Sequence, residues 1–262
     1  MSKNKLAKFA DMAGYSNVVQ CPFSVYMSEG FELRGRWHED FFHNTNPIVL
    51  ELGCGRGEYT VGLARRYPGK NFIGVDIKGA RMWHGATEAI ADNLTNVGFL
   101  RTNIEIIDKL FAENEVSEIW LTFSDPQQKN CRKRLTSTSF LERYRRFLVD
   151  DALVHVKTDS NFLATYTKYV VEKNSLDLVV DTFDLYADNV NDANSATSQY
   201  LEEARAIQTY YESMWLERQI PIKYILFRLN KTCSLEEPDV EIPVDGYRSY
   251  SHEVRSTQKT GK

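Results

Sequence analysis

Short apolar runs alternate with stretches of helical periodicity over most of the chain, and this alternation predicts strands and helices in turn. The clearest example starts at the apolar run 48–52 and ends at the apolar run 71–75, with a helical pattern over 58–66 between them. A glycine-rich turn over 53–57 separates the first run from the helix. Apolar runs bounded by glycines, with a helix between them, indicate a β-α-β unit with parallel strands.

The same alternation continues to residue 229. Further strands are expected at 97–102, 117–123, 152–157, 176–186 and 222–229, and further helices at 80–93, 104–111, 139–148, 162–170 and 198–215. A short helix is also expected within 21–46, before the first strand. This order of elements predicts a single domain of the α/β class, built on one doubly wound sheet.

Three segments fall outside this alternation. Residues 1–20 show little apolar periodicity and are expected to form a mobile tail, with a basic arm against a phosphate backbone as the alternative. Residues 187–197 are rich in Asn, Asp and Ala, and they are expected to form an exposed loop. Residues 231–262 are acidic and then basic without a period, which predicts loop or disorder.

The glycine-rich turn and the strand end after it predict a site for a cofactor that contains a nucleoside. Asp76 ends the second apolar run, where a carboxylate accepts hydrogen bonds from ribose hydroxyls. The glycine spacing is G-x-G-x-G, whereas a dinucleotide site prefers G-x-G-x-x-G, and Glu58 would repel a phosphate at the start of the helix. S-adenosyl-L-methionine has a ribose and a positive charge but no phosphate, and it suits Glu51 and Asp76 better. A dinucleotide, or glycines that form tight turns only, are the alternatives.

Composition narrows the class of protein. The 262 residues are 42% hydrophobic and 26% charged, which is typical of a soluble globular protein with one sizeable core. No apolar run has the length of a membrane span, and the N-terminus lacks a signal-peptide pattern. Cys21, Cys54, Cys131 and Cys233 include no C-x-x-C pair, which argues for reduced thiols in the cytoplasm and against a metal site. With a net charge of −4, any polyanion must be met by a local basic patch.

Polar residues lie at or directly after the carboxyl ends of the expected strands. These residues are Glu51, Asp76, Asn103, Asp125 and Asp159. In an open α/β sheet, ligands bind beyond the carboxyl ends of the strands, so we expect these side chains to converge. One such Asp alone would more simply be a helix cap. Asn103 suits adenine, because its side-chain oxygen can accept a hydrogen bond from the adenine amino group.

A basic run follows Asp125 directly. Lys129, Arg132, Lys133 and Arg134 lie within six residues, next to the expected cofactor site. A basic run is usually a solvated loop. Because this run joins the central strand of the site to the next helix, we interpret it as a contact surface for the phosphates of a nucleic acid.

Several stretches of the chain resemble the bacterial tRNA (guanine-N7-)-methyltransferase family. They are ELGCGRGEY (51–59), FIGVD (72–76), RTNIE (101–105), FSDPQQKNCRKRLTSTSFL (123–141), HVKTD (155–159) and TYYE (209–212). The resemblance implies a Rossmann-like class I methyltransferase fold, with a mostly parallel seven-stranded sheet and helices on both faces. It also implies S-adenosyl-L-methionine as the donor and N7 of a guanine in the tRNA variable loop as the acceptor.

The resemblance also implies roles for individual residues. Donor binding falls to Glu51, Gly53, Gly55, Asp76, Asn103 and Asp125, with Asp125 also at the reacting centre. Substrate binding falls to Lys129, Asp159, Thr209, Tyr210, Tyr211 and Glu212, and RNA backbone contacts to Arg132, Lys133 and Arg134. The chain departs from the family at Gln127, where Trp is usual, and in a loop about two residues shorter that lacks the usual Arg-His pair.

Guanine would be distinguished from adenine by two carboxylates. Asp159 and Glu212 are expected to accept hydrogen bonds from N1–H and the amino group of guanine, whereas adenine would leave them unpaired. No metal and no membrane is expected, and the sequence leaves open whether the protein is a monomer or a homodimer. The rival functions are a class I methyltransferase acting on a small molecule or protein, and a non-catalytic module that binds RNA or a dinucleotide.

Overall fold

The computed structural model describes residues 5–187, 195–232 and 234–246, and the strands among these residues form one sheet. They are β1 (Val18–Gln20), β2 (Ile48–Leu52), β3 (Asn71–Asp76), β4 (Val97–Arg101), β5 (Val116–Thr122), β6 (Leu148–Thr158), β7 (Asp177–Thr182) and β8 (Lys223–Leu229). Their order across the sheet is β1-β4-β3-β2-β5-β6-β8-β7. All neighbouring pairs from β1 to β6 are parallel, and β8 runs antiparallel to both β6 and β7. The expected seven strands are therefore corrected to eight, because β1 adds a short edge strand beside β4.

Helices cover both faces of this sheet, as expected. They are α1 (Lys5–Ala13), α2 (Phe23–Glu29), α3 (Glu58–Arg66), α4 (Gly79–Ala91), α5 (Thr138–Arg145), α6 (Asn161–Lys173), α7 (Ser195–Ala206) and α8 (Tyr210–Glu217). A π-helical segment (Trp37–Phe42) and two 3₁₀ segments (Ile104–Lys109 and Cys131–Lys133) complete the set of described helical elements. Within the described part of the chain, no helix has the length and apolar character needed to cross a bilayer.

Two apolar clusters lie on opposite faces of the sheet, because successive residues of a strand point to opposite sides. In β2, Leu50 packs with α5 and α6 in one cluster, while its neighbour Val49 packs with α3 and α4 in the other. Every residue of β2 is buried. A central parallel strand buried on both faces explains why the run 48–52 is apolar at every position except Glu51.

The β-α-β unit lies where the sequence predicts it. The strand β2 and the helix α3 have the expected bounds, and β3 extends one residue further, to Asp76. Gly57 precedes α3 with a φ of 77°. A Cβ atom at Gly57 would lie 2.6 Å from the Phe99 ring and 3.4 Å from Gly85 Cα, so close packing as well as backbone conformation requires glycine there.

The expectation of a mobile tail over residues 1–20 is wrong for the part that the structure describes. Met12 of α1 is fully buried, and α1 packs on α4. Lys8 Nζ lies 2.9 Å from His84 Nε2 and above the Trp83 ring. This lysine is therefore engaged with α4. Residues 1–4 lie outside the described residues.

The single helix expected over 198–215 is two helices. The first, α7, ends at Ala206, and Thr209 begins α8 as its N-cap. Thr209 and Glu212 form a capping box, in which each side chain accepts a hydrogen bond from the other's backbone N–H. Of the loop expected over 187–197, residues 188–194 lie outside the described residues, and α7 begins at Ser195.

Candidate functional site

A cavity of about 480 Å³ opens beyond the carboxyl ends of β2, β3, β5 and β6. Its volume is in the range of small-molecule and cofactor sites. Nine of the residues predicted to form the site line it, namely Glu51, Gly53, Gly55, Asp76, Asp125, Lys133, Asp159, Thr209 and Tyr211. The convergence of strand-end polar residues on one edge of the sheet is therefore present in the structure for four of the five positions, Asn103 being the exception.

The glycine-rich turn provides a bare floor to this cavity. Gly53 and Gly55 have φ values of 85° and 56°, in the left-handed region that favours glycine. A Cβ atom built on Gly53 meets no atom within 4 Å, and one built on Gly55 meets only a backbone oxygen at 4.0 Å. Because both glycines line the cavity, the open space above them is space for a ligand that lies against the main chain.

Glu51 is a buried carboxyl group at the back of the cavity. Its two oxygens accept hydrogen bonds from the Thr60 backbone N–H (2.9 Å), the Thr60 hydroxyl (2.5 Å) and the Thr122 hydroxyl (2.6 Å). Burial raises the pKa of Glu51 to about 7, although these hydrogen bonds act in the opposite direction. The carboxyl group is thus poised between its neutral and ionised forms near neutral pH. A cationic ligand in the cavity would favour the ionised form.

Asp76 presents a fixed carboxylate at the side of the cavity. One oxygen accepts from the backbone N–H of Gly55 at 3.0 Å, and the other from the backbone N–H of Lys78 at 2.8 Å. These two main-chain bonds fix the orientation of the carboxylate, and the half-buried side chain keeps acceptor capacity toward the cavity. Such an acceptor suits the two hydroxyls of a ribose.

Asn103 lies in an adjoining cavity and does not line the main one. The two cavities share Asp76, Ile104, Lys133 and Leu135, so a ligand can extend from one into the other. The Asn103 side-chain oxygen accepts a hydrogen bond from the Phe23 backbone N–H at 3.1 Å. A nucleoside with its ribose on Asp76 would place its base in this second cavity.

Asp125 lies on a tight turn directly after β5. Phe123 and Gln127 on either side of it have φ values of 51° and 44°, and one Asp125 oxygen accepts from the Gln127 backbone N–H at 2.9 Å. Left-handed conformations of residues other than glycine are costly, and they concentrate at functional sites. The neighbouring Ser124 hydroxyl is buried at the cavity wall and has no hydrogen-bond partner among the described residues. It is therefore available to a ligand.

Asp159 faces the same cavity from the end of β6. The residue is fully buried, and its backbone carbonyl accepts a hydrogen bond from Lys223 Nζ at 2.9 Å. The structure thus brings both candidate carboxylates, Asp125 and Asp159, to the cavity that the glycine-rich turn borders.

The TYYE segment divides into residues that face the cavity and residues that do not. Thr209 and Tyr211 line the cavity, whereas Tyr210 is 54% exposed and lies beneath the Arg56 guanidinium. Glu212 is fully buried outside the cavity, where it pairs with Lys157 Nζ at 2.6 Å and accepts from the Tyr186 hydroxyl at 2.6 Å. In this structure Glu212 is therefore not in position to contact a base, contrary to the expectation.

Lys157 connects this segment to the sheet. Besides Glu212, three oxygens lie within hydrogen-bonding distance of its ammonium group and share its N–H donors, namely the Ala204 carbonyl (2.7 Å), the Ile207 carbonyl (3.1 Å) and the Tyr59 hydroxyl (3.1 Å). Burial lowers the pKa of Lys157 to about 8, while Glu212 partly offsets this effect. One buried lysine on β6 thus holds the end of α7 and the start of α8 together.

The basic run consists of three exposed residues and one buried residue. Lys129 and Arg132 are exposed, and Lys133 is exposed at the edge of both cavities. Arg134 is buried instead, between the rings of Phe162 and Tyr166. Its guanidinium donates to the backbone carbonyls of 126, 127 and 128 at 3.0 to 3.2 Å. The expected contact of Arg134 with an RNA backbone is therefore wrong, because this side chain stabilises the turn after Asp125.

Sequence reasoning missed three cations at the cavity wall. Arg56 lies within the glycine-rich turn, and Lys78 and Arg81 lie at the start of α4. They border the cavity on the side of the glycine-rich turn. Their position directly beside the glycines and Asp76 was the available signal, because residues next to a ligand-binding turn tend to line it. Among the described residues, no group of three or more His, Cys, Asp or Glu side chains could hold a metal ion, and Cys21, Cys54 and Cys131 are free thiols.

The chain is similar to known methyltransferases over its whole length. A family model described as "Putative methyltransferase" matches residues 45–220. A tRNA (guanine-N(7)-)-methyltransferase of Bacteroides fragilis is 58% identical over 262 residues, which is 100% of both chains. The protein of the same name from Bacteroides thetaiotaomicron is 57% identical with the same coverage. A third, from Christiangramia forsetii, is 47% identical over 87% of this chain and 99% of its own length.

A solved structure supports the fold independently of these sequences. The crystal structure of a 30S ribosomal A1408 methyltransferase from an uncultured bacterium matches with a TM-score of 0.52. It covers 76% of this chain and 95% of that chain, at 13% sequence identity. At this identity the likeness shows the fold alone, and it confirms the expected Rossmann-like α/β arrangement.

Proposed function

The chain belongs to this methyltransferase family, among its tRNA (guanine-N(7)-)-methyltransferases, and on that premise we propose that it methylates N7 of a guanine in the variable loop of tRNA. The methyl donor is S-adenosyl-L-methionine. The observation that carries the proposal is a single cavity that joins a bare glycine floor and a ribose-type carboxylate to Asp125 and Asp159.

The residues of the cavity fit the donor part by part. Asp76 is oriented to accept from ribose hydroxyls, Gly53 and Gly55 leave room against the main chain, and Asn103 offers polar atoms in the adjoining cavity for adenine. Glu51 supplies negative charge for a cationic ligand. When bound, the donor supplies an electrophilic methyl group on a sulfonium. The chain's own residues hold, orient and shield it.

Guanine N7 requires no general base, because its lone pair lies in the plane of the ring and carries no proton. The work of the protein is then placement, since reacting atoms held in line near contact distance gain several kcal/mol over free encounter. Asp125 and Asp159 also place negative charge beside a base that becomes cationic on methylation. Charge already oriented toward the developing cation stabilises the transition state.

We assign the recognition of guanine to Asp159. The carboxylate is buried at the cavity wall, where it can accept hydrogen bonds from N1–H and the amino group of guanine. Adenine lacks these donors and could not make these two hydrogen bonds to Asp159, so guanine is favoured over adenine. Glu212 takes a positioning role in this proposal. Through its pair with Lys157 and its bond to the Thr209 backbone, it fixes Thr209 and Tyr211 at the cavity edge.

The exposed cations are assigned to the RNA backbone. Lys129, Arg132 and Lys133 follow the Asp125 turn and stand beside the cavity mouth. Phosphate contacts from such residues orient a nucleic acid, while the cavity selects one base. The base must leave its stacked position to enter the cavity, which costs a few kcal/mol that these contacts offset. A tRNA substrate and three free thiols favour a cytoplasmic location.

The test is incubation of the purified protein with unmodified tRNA and donor labelled in the methyl group, followed by nucleoside analysis. We expect label in N7-methylguanosine, and none when the substrate tRNA carries adenosine in place of the variable-loop guanosine. A methyltransferase for small molecules or proteins would instead turn over without RNA, and a non-catalytic relative would transfer no label.

A further inference from the structure

A segment without regular secondary structure follows β8 and returns across the molecule. Residues 234–246, here called the C-terminal strap, are the last described part of the chain. Leu235 and Ile242 of the strap pack against the apolar cluster under α5 and α6. Glu236 exchanges two backbone hydrogen bonds with the Asn174 side chain, at 2.7 and 2.9 Å. The strap is therefore attached to the folded domain at its start.

Glu237 joins the strap to the basic run and to α5. One of its oxygens accepts from the Thr138 backbone N–H (2.9 Å) and the Thr138 hydroxyl (2.7 Å). The other accepts from the Tyr166 hydroxyl (2.6 Å) and lies 3.3 Å from Cys131 Sγ. Burial alone would raise the pKa of Glu237, but these hydrogen bonds outweigh it and lower the pKa below its usual range. The contact therefore involves an ionised carboxylate.

Tyr166 carries this contact to the Asp125 turn. Its ring lies against the Arg134 guanidinium, with 4.4 Å between the charged carbon and the ring centroid. Arg134 in turn holds the three carbonyls of residues 126–128. A continuous series of direct contacts thus runs from Glu237 through Tyr166 and Arg134 to the turn that bears Asp125.

Asp245 joins the other end of the strap to the second carboxylate segment. It is buried, and its carboxylate accepts from the Ser160 hydroxyl and from the Phe162 backbone N–H at 3.1 Å. These groups belong to the first turn of α6, directly after Asp159. A carboxylate there satisfies a backbone N–H that the helix leaves unpaired, and it also interacts favourably with the helix dipole.

We propose that the C-terminal strap is a positioning element of the base-binding half of the site, an inference that rests on the proposed function. Glu237 fixes the Asp125 turn through Tyr166 and Arg134, and Asp245 fixes the segment after Asp159. Neither residue borders the cavity, so both act through others. The glycine floor follows β2 and Asp76 ends β3, and neither takes part in the strap contacts described above. Of the predicted donor contacts, only Asp125 depends on the strap, so loss of the strap contacts should disturb substrate binding and transfer strongly and donor binding only slightly.

The test compares Glu237→Ala, Asp245→Ala and Tyr166→Phe with the control Asp239→Ala. Asp239 is an exposed acid of the same strap and takes part in none of these contacts. We expect kcat/KM for tRNA to fall by about ten- to a hundredfold in the first three variants, as for small displacements of reacting groups. The dissociation constant for S-adenosylhomocysteine should stay within about twofold, and the control should match the wild type. Glu237→Ala combined with Tyr166→Phe should lose little more than either alone, because the two act on one contact.

Wild-type kcat/KM in both strap variants would overturn the proposal. An equal loss of donor affinity would also overturn it, because that outcome indicates general destabilisation. Hydrogen exchange of the amides over 126–134 provides a readout independent of catalysis. It should become faster in Glu237→Ala and stay unchanged in Asp239→Ala, whereas unchanged exchange in both contradicts the strap's role. Should the wild type transfer no methyl group to tRNA, the proposed function fails, and the exchange result still decides whether the strap holds the turn.

Discussion

The buried carboxyl group of Glu51 leads to a prediction about the release of a proton when the donor binds. Without a ligand, burial raises its pKa from 4.5 to about 7, so the group is mostly neutral at pH 6 and mostly ionised at pH 8. If a cationic donor binds the ionised form, binding near pH 6 must expel a proton. Restoring the ordinary pKa on binding corresponds to about 3 kcal/mol of differential interaction, since each pKa unit is worth about 1.4 kcal/mol.

The size of the effect follows from the titration. At pH 6 roughly one tenth of the free protein is ionised at Glu51, and at pH 8 roughly nine tenths, so donor affinity should rise about tenfold between them. Calorimetry in buffers of different ionisation enthalpy should detect the release of about 0.9 proton per donor bound at pH 6, and about 0.1 at pH 8. The sign is fixed: affinity increases with pH and levels off above the pKa of the free protein.

The variant Glu51→Gln supplies the control, because it keeps the shape of the side chain and one oxygen that can accept from Thr60, and its amide nitrogen can donate to the Thr122 hydroxyl, without the titration. Proton release on donor binding to Glu51→Gln should come only from the amino group of the ligand. The difference in proton release between the wild type and this variant is therefore due to Glu51. A pH dependence that is the same in both proteins would refute the reasoning. In the free protein the raised pKa also means that unfolding stability declines as pH rises through about 7, and Glu51→Gln should remove that decline.

Three further predictions concern the other parts of the site. Asp125→Asn and Asp159→Asn should each lower kcat for tRNA about a hundredfold or more while circular dichroism stays unchanged, and near-normal transfer of labelled methyl groups would contradict the assignment. Lys129→Ala and Arg132→Ala should each reduce the salt dependence of tRNA binding, expressed as the slope of log K against log[salt], by about one. Arg134→Ala should leave this slope unchanged and lower the melting temperature of the protein. A reduced slope in Arg134→Ala without a change in melting temperature would show that Arg134 contacts the RNA. Lys157→Met and Glu212→Leu should each lower the free energy of unfolding, measured by denaturant titration, by about 3–5 kcal/mol, because each leaves a buried charge unpaired. The double variant should recover much of this loss. Losses that simply add would show that the two residues are not coupled.

Local patterns were sufficient to predict the β-α-β unit and the edge of the sheet at which the cavity lies. The glycines, the apolar runs and the acid after the second run all act within 30 residues, so a linear sequence contains the whole signal. Parallel strands then bring their ends to one edge, which places Glu51, Asp76, Asp125 and Asp159 together without further information.

These local patterns do not predict the direction in which an individual side chain points. A run of basic residues does not reveal that Arg134 turns inward between two rings while its neighbours point to solvent. In the same way, T-x-x-E at 209–212 was interpreted as two substrate contacts, although the spacing is that of a capping box. That signal was present, and it would have predicted the break between α7 and α8.

The wrong expectation of a mobile tail over residues 1–20 also arose because the deciding contacts are distant in sequence. In α1 the apolar residues Phe9 and Met12 are three apart, but the helix has only nine residues, too few for this spacing to distinguish a packed helix from a tail. Its stability depends on packing against α4, which is distant in sequence. The strand β1 has three residues, too few for a period of two to be recognised.

If the proposed function holds, the position of Lys133 would make the binding of the donor and the binding of tRNA interdependent. This residue borders both cavities that the proposed donor would occupy, and it also belongs to the exposed basic run that is assigned to the RNA backbone. A bound donor and a bound tRNA would each change the electrostatic surroundings of the other through this charge. By thermodynamic reciprocity, the factor by which the donor alters tRNA affinity must equal the factor by which tRNA alters donor affinity. The order in which the two substrates arrive therefore affects the rates of assembly but not the stability of the final ternary complex.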